Sequence, residues 1–340
     1  MVAGIVLGVL FVTPFVLTYV LLIRWVDRFE PEPWWLIAVA FVWGAVFATS
    51  GGGASSAYVQ TAVQKVLGAS SSDPRLDAFG STVLAPVFEE GFKAIGVALI
   101  AFLGLIGLKR LDGPLDGAIY GGVVGLGFTF TEDILYVAQQ YARVGLGGFV
   151  VLLFLRTVLL GFSHCTFTAC TGLGFGIAAE SKSVAVKLLA PLLGFGCAMA
   201  MHAMHNGLPT FFGDGGLILM LLASWLIDLL FFALLWVLVT RDRSIVIREL
   251  LGEVGTLIHP SELKLVSSYV TLGVKNLRIF FALGFSAWRA RRKKQLSLVE
   301  LAFLKSRRRR GETGPALDEQ EAKLRHAIGE ANRVGIRVGA

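Results

Sequence analysis

Pro86-Val-Phe-Glu-Glu-Gly-Phe-Lys93 sets two adjacent glutamates, and a lysine one helical turn on, inside an otherwise apolar stretch. Ionised groups within a membrane span cost several kcal/mol each unless paired, hydrated or neutralised. A chain that keeps such a cluster uses it for chemistry, for transport or for helix assembly. Composition shows that the stretch is membrane material. The 340 residues are 55% hydrophobic and 16% charged, with a mean hydropathy of +0.71, well outside the range of an ordinary soluble domain. The fold class is therefore all-α, a polytopic transmembrane helix bundle.

Seven apolar runs are long enough to cross a bilayer, at about 20 residues per crossing. They lie at roughly 2–23, 35–58, 79–107, 116–141, 147–179, 187–209 and 216–239. The first has no basic leader and no cleavage-site pattern, so it reads as an anchor. Glycines recur as Gly117-xxx-Gly121-xxx-Gly125 and Gly172-xxx-Gly176, a spacing that lets helix backbones approach closely in lipid. Cys165, Cys170 and Cys197 lie in apolar segments, match no zinc pattern and give no disulfide framework.

Basic residues set the orientation. Arg24, Arg28, Lys109, Arg110, Lys182 and Lys187 follow spans one, three and five, whereas the opposite loops hold only Lys65, Arg75 and Arg143. The positive-inside rule then predicts a multi-pass protein of the cell membrane with its N-terminus outside and its C-terminus cytoplasmic.

The chain divides into a transmembrane domain over 1–240 and a basic cytoplasmic tail over 241–340. Between Ala287 and Arg310 ten Lys or Arg residues face one acid, Glu300, a local charge of +9 in a chain of +7. Two basic runs, Arg291–Lys294 and Arg307–Arg310, suit the anionic lipid of the inner leaflet. No nucleic-acid-binding motif accompanies them, so nucleic acid is not expected as a partner. Residues 269–288 are apolar but carry Lys275 and Arg278, which points to an interfacial helix rather than an eighth span.

Five polar sites fall within the spans: Glu89/Glu90/Lys93, Glu132/Asp133, His164, His202/His205/Asn206 and Asp228. With the assigned directions, Glu89 and Glu132 each lie about 10 residues from the outer end of their spans. At about 1.5 Å per residue that is some 15 Å deep. Each residue alone has a plain structural account: an ion pair of either glutamate with Lys93, an interhelical tie for a histidine, a helix-end group for Asp133. Asp228 has no evident partner, and His205 either shares the face of His202 or only bonds a neighbour. Together they suit water chemistry. In one form a glutamate acts as general base while His and Asn donate to an oxyanion. In the other, His and Glu hold zinc and a free Glu is the base. Lys93 is placed to keep one of the paired carboxylates ionised.

These residues resemble the PrsW-type intramembrane proteases, distant relatives of the CAAX-prenyl endopeptidases. Asp27-Arg-Phe-Glu-Pro-Glu-Pro-Trp34 is similar to a D-R-x-E-P-E-P element, and Glu89-Glu-Gly-Phe-Lys93 fits E-E-x-x-K. Gly127-Phe-Thr-Phe-Thr-Glu-Asp133 fits G-F-x-x-x-E, where Asp133 stands in place of the more common Asn. Arg156 to His164 fits R-x7-H, and His202-Ala-Met-His-Asn206 fits H-x-x-x-N. The motifs occur in family order across 24–209.

The resemblance implies that Glu89, Glu90, Glu132, His164 and His202 line an active site, with Asn206 as oxyanion donor. Glu132, His164 and His202 are the candidate metal ligands if zinc is bound; glutamate-type chemistry without metal stays open beside it. It also implies hydrolysis of a peptide bond in a membrane-protein substrate, such as a single-span anti-sigma-factor-like protein, in the outer half of the bilayer. Two other classes remain: a proton- or cation-coupled transporter, which the lack of an internal repeat disfavours, and a non-catalytic scaffold of the same fold, which retention of the polar set disfavours.

Overall fold

The computed structural model describes residues 1–70, 73–103 and 111–339. Lys109 and Arg110, two of the residues used for orientation, and the end of the third expected span lie outside them. The described chain is helical, with one isolated β-bridge between Val254 and Ile258. In order the helices are α1 (Val2–Val26), α2 (Trp34–Val42), α3 (Thr49–Leu67), α4 (Pro74–Phe79), α5 (Ala85–Phe102), α6 (Pro114–Leu153), α7 (Ser163–Glu180), α8 (Val184–Leu251), α9 (Pro260–Val266), α10 (Thr271–Arg309) and α11 (Pro315–Arg333). Short π-helical turns at Trp43–Ala48, Gly80–Leu84 and Phe154–Leu159 join α2 to α3, α4 to α5 and α6 to the turn before α7.

Among the described residues four helical stretches are long and apolar enough to cross a membrane: Val2–Val26, Trp34–Leu67, Pro114–Glu180 and Val184–Leu251. The last two are far longer than the roughly 30 Å hydrocarbon core requires. Each contains a glycine with left-handed backbone, Gly145 at φ 74° and Gly213 at φ 56°. Only glycine adopts such a conformation without strain, so the helix direction changes at each of them. Three ionisable residues keep α5 out of the apolar set.

The chain forms two compact units, residues 1–26 with 32–235 and residues 27–31 with 236–340. In the first, α6 is the central helix, with every residue from 114 to 129 buried. A helix buried on all sides needs small residues to admit its neighbours. A Cβ on Gly117 would stand 2.0 Å from the Gly172 carbonyl oxygen, and one on Gly125 would stand 2.1 Å from that of His164. The glycine spacing seen in the sequence is thus the α6–α7 seam. It brings the backbone of His164 against α6. Tyr19 of α1 donates to the Thr157 carbonyl (2.8 Å), Trp43 to that of Phe92 (2.8 Å) and Thr131 to that of Ala45 (2.7 Å), each pinning a neighbour across the bundle.

The second unit, which holds the basic segment, is a folded body with internal ion pairs. Lys294 is buried and pairs with Glu262 (2.6 Å), Lys305 pairs with Glu253 (2.6 Å), and Arg309 with Glu249 (3.2 Å). Arg307 pairs with Glu312 (2.9 Å), and Arg308 with Asp318 and with Glu321 (3.0 Å). Much of the +9 segment is therefore neutralised internally. His259 caps α9, its backbone N–H donating to Glu262 (3.1 Å).

Candidate active site

The polar cluster is built on the core-facing stripe of α5. Pro86, Glu90, Lys93, Val97 and Ile100 are all buried and recur at three- and four-residue spacing, the period of one helix face. Glu90 and Lys93 are thus core positions with charge on them. Lys93 Nζ donates to Glu90 Oε1 (2.7 Å), stands 3.3 Å from His164 Nδ1 and lies 3.6 Å over the Phe128 ring. Glu90 Oε1 also meets His202 Nδ1 (3.0 Å), and its Oε2 accepts from Thr168 (3.2 Å).

Its neighbour Glu89 is engaged differently. Its Oε2 is buried and has no hydrogen-bond partner among the described residues, yet it stands 3.7 Å from His202 Nε2. Gly52 of α3 makes room for it, since a Cβ there would come within 2.8 Å of the Glu89 Cα.

On α6, Glu132 and Asp133 share Arg156. The guanidinium reaches Glu132 Oε2 (2.5 Å) through Nη2 and Asp133 Oδ1 (2.9 Å) through Nε. Thr157 donates to Asp133 Oδ2 (2.8 Å). His164 Nε2 meets Glu132 Oε2 at 3.0 Å, and the His164 and His202 rings lie 4.9 Å apart.

The partners assign the imidazole protons. An ammonium only donates and a carboxylate only accepts. His164 therefore accepts from Lys93 at Nδ1 and donates from Nε2 to Glu132. His202 donates from Nδ1 to Glu90, which leaves its Nε2 lone pair facing the Glu89 carboxylate. Two acceptors 3.7 Å apart have no proton to share with each other, so the pair suits a common donor or cation.

Residues on α5, α6, α7 and α8 thus form one continuous network. A family model described as PrsW family intramembrane metalloprotease matches residues 32–239, which include all of them. The chain belongs to the PrsW family. A curated relative, "Protease PrsW" of Geobacillus kaustophilus (strain HTA426), is 26% identical over 152 residues, which is 44% of this chain and 57% of that protein. No solved structure matches.

Within the PrsW motifs, the network brings Glu89, Glu90, Glu132, His164 and His202 together. It leaves Asn206 at its edge, with Nδ2 donating to the Ser81 carbonyl (2.9 Å). His205 Nδ1 bonds Ser224 (3.1 Å) rather than a glutamate, and Asp228 accepts from Thr166 (2.5 Å). Asp133, read from the sequence as a possible helix-end group, is a buried partner of Arg156. Thr168 was not picked out from the sequence, and Phe128 entered only as the Phe of the G-F-x-x-x-E motif, with no role assigned. The signal for each was its place one turn from a motif residue, four after His164 and four before Glu132.

The metal expected of a PrsW metalloprotease can be tested against these donors. Glu90, His164 and His202 each offer a ligand atom, all within 4.8 Å of one another, and they are the three that converge among the described residues. Glu132, from the expected ligand set, is instead held by Arg156 and His164. One carboxylate and two imidazoles match zinc chemistry. With Glu89, Glu90, Glu132 and Asp133 against Lys93 and Arg156, the cluster's formal charge is −2 with neutral histidines, which a divalent ion would cancel. Lys93 touches two of the three donors, so an ion held there shares them with an ammonium or displaces it.

Proposed function

We propose that this chain is an intramembrane endopeptidase in which Glu89 takes the proton of the attacking water. The contrast between the two adjacent glutamates carries the reading. Glu90 already accepts from Lys93, His202 and Thr168. Glu89 Oε2 has no partner among the described residues and stands 3.7 Å from the bare Nε2 of His202. A water accepted by both would lose a proton to Glu89 as its oxygen adds to the peptide carbonyl carbon. The C–N bond then breaks, and Glu89 returns the proton to the departing amine.

Arg156 holds Glu132, and Glu132 in turn fixes the His164 ring. Asn206 lies one turn beyond His202 and keeps a second amide N–H for the developing oxyanion. Zinc, if held by Glu90, His164 and His202, would supply Lewis-acid activation of the water.

The substrate class is a single-span membrane protein, by kinship with PrsW. Seven spans with an outer N-terminus and a cytoplasmic C-terminus fit the two helix breaks, because Gly145 and Gly213 fall in the loops expected between spans four and five and between six and seven. That topology puts the site in the outer half of the bilayer.

The test is cleavage in proteoliposomes that hold the purified full chain and a pool of tagged single-span membrane proteins, with new termini read by mass spectrometry. Cleavage lost on chelation and restored by zinc assigns the metal form. Cleavage indifferent to chelator assigns a glutamate-activated water. No cleavage by folded, inserted protein overturns the protease reading.

A further inference from the structure

The second unit contains a surface that the protease chemistry does not use and that lies beyond the matched family region. Helix α10 runs from Thr271 to Arg309, with left-handed backbone at Gly284 (φ 83°, ψ 176°). Asn276 Nδ2 donates to Gln295 Oε1 at 3.1 Å. In a straight helix those residues would stand about 28 Å apart. The chain therefore doubles back at Gly284, and α10 is a helical hairpin. Phe280 and Trp288, eight residues apart across the break, have ring centroids 6.1 Å apart. The expected interfacial helix over 269–288 is the first limb and tip of this hairpin.

The base of the hairpin is anchored. Leu272, Asn276 and Ile279 on the first limb are buried, as are Lys294 and Gln295 on the second. Lys275 and Lys294 donate to the carbonyls of Gly339 (3.1 Å) and Ile336 (2.9 Å). The tip is the opposite. Phe280, Phe281, Leu283 and Phe285 are 40–78% exposed. Val270, Val274, Leu277 and Phe281 form an exposed apolar stripe along the first limb. The same two limbs carry three exposed cations, Arg278, Arg289 and Lys293, with no ion pair among the described residues.

We propose that the α10 hairpin tip is a monotopic membrane wedge that inserts into an anionic membrane face. Aromatic and aliphatic side chains at the tip, with exposed cations on the limbs behind it, complement acyl chains below and lipid phosphates above. Length sets the depth. From Asn276 to Gly284 the limb measures about 12 Å, enough to pass the headgroups and far short of the roughly 30 Å core. The bend of 102° between α9 and α10 likewise rules out one straight span. This proposal does not depend on the protease reading.

The experiment uses the full chain with Cys165, Cys170 and Cys197 replaced by alanine, reconstituted in liposomes containing anionic lipid. A nitroxide is placed at Phe281→Cys or, as control, at Lys323→Cys on α11. The label at 281 should collide with oxygen several-fold more than with a water-soluble nickel complex, and the label at 323 should show the reverse. Arg278→Glu, Arg289→Glu and Lys293→Glu together should reverse the ratio at 281. Nickel-accessible behaviour at 281 in the parent chain would overturn the proposal. So would shielding from both reagents, the mark of a protein partner such as a second copy. Amide hydrogen exchange on the native-cysteine chain gives an independent check. Residues 278–288 should exchange several-fold more slowly in anionic than in zwitterionic liposomes, and equal rates would count against the wedge.

Discussion

Replacing Glu90 and Glu89 by glutamine, one at a time, separates structure from chemistry at adjacent positions. Glu90→Gln removes the counter-charge of Lys93, whose side chain is wholly buried, and weakens contacts of 2.7 Å to Lys93 and 3.0 Å to His202. Removing one partner of a buried ion pair typically costs about 3–5 kcal/mol. At about 1.4 kcal/mol per factor of ten, the folded population falls by roughly 10²–10⁴ relative to unfolded. Glu89→Gln breaks no hydrogen bond, because Oε2 has none to lose. Replacing an unpartnered, largely buried carboxylate by a neutral amide should leave stability unchanged or raised, while cleavage falls by about 10²–10⁴ through loss of the proton acceptor. The assays are thermal unfolding in detergent and cleavage in proteoliposomes, run on the same preparations. A folded Glu89→Gln chain cleaving within tenfold of wild type would refute the assignment of the base. Equal destabilisation by both substitutions would refute the division of roles.

Three further outcomes follow from particular contacts. Gly125→Ala would drive a Cβ to 2.1 Å from the His164 carbonyl, so it should cost at least about 1–3 kcal/mol and abolish cleavage. Gly91→Ala, with nothing within 4 Å, should leave thermal stability and cleavage unchanged or slightly improved. Asp228→Asn keeps an oxygen to accept from Thr166 and should retain near-wild-type cleavage; loss of activity would make Asp228 part of the site. In the second unit, hydrogen bonds from Arg325 and Lys305 hold the Glu253 carboxyl down at about 2, from an ordinary 4.5. A depressed carboxylate contributes stability that is fully present above about pH 4.5 and is lost as pH falls toward 2. Protease resistance of residues 236–340 should decline across that window, and Glu253→Gln should flatten the decline.

The sequence made the membrane class and most of the cluster legible, because both rest on local facts. An ionisable residue in an apolar run is visible without knowing its neighbours. The buried stripe Pro86, Glu90, Lys93, Val97 and Ile100 follows helical period alone. The division of labour between Glu89 and Glu90 was not legible, since it depends on Thr168 and His202, 78 and 112 residues away from Glu90. The internal pairing of the tail was not legible for the same reason, since the acids that pair with Lys294, Lys305 and Arg309 lie 32 to 60 residues earlier in the chain. Gly284 gave no sign of a hairpin, because a lone glycine in a helical pattern is common, and only the Asn276–Gln295 bond reveals the reversal. Asn206 carried a motif position but not its contact, the carbonyl of Ser81 in the π-helical turn before α5.

Isotope incorporation tests the central claim most directly. Proteoliposomes holding the full chain and the single-span protein pool are incubated in water enriched in oxygen-18, and the peptides are sequenced by mass spectrometry. Hydrolysis by a water held at Glu89 and His202 predicts new C-termini within or beside the spans, each with one heavy oxygen, present with wild type and missing with Glu89→Gln. New termini without the label, or equal labelling with both proteins, would contradict the account.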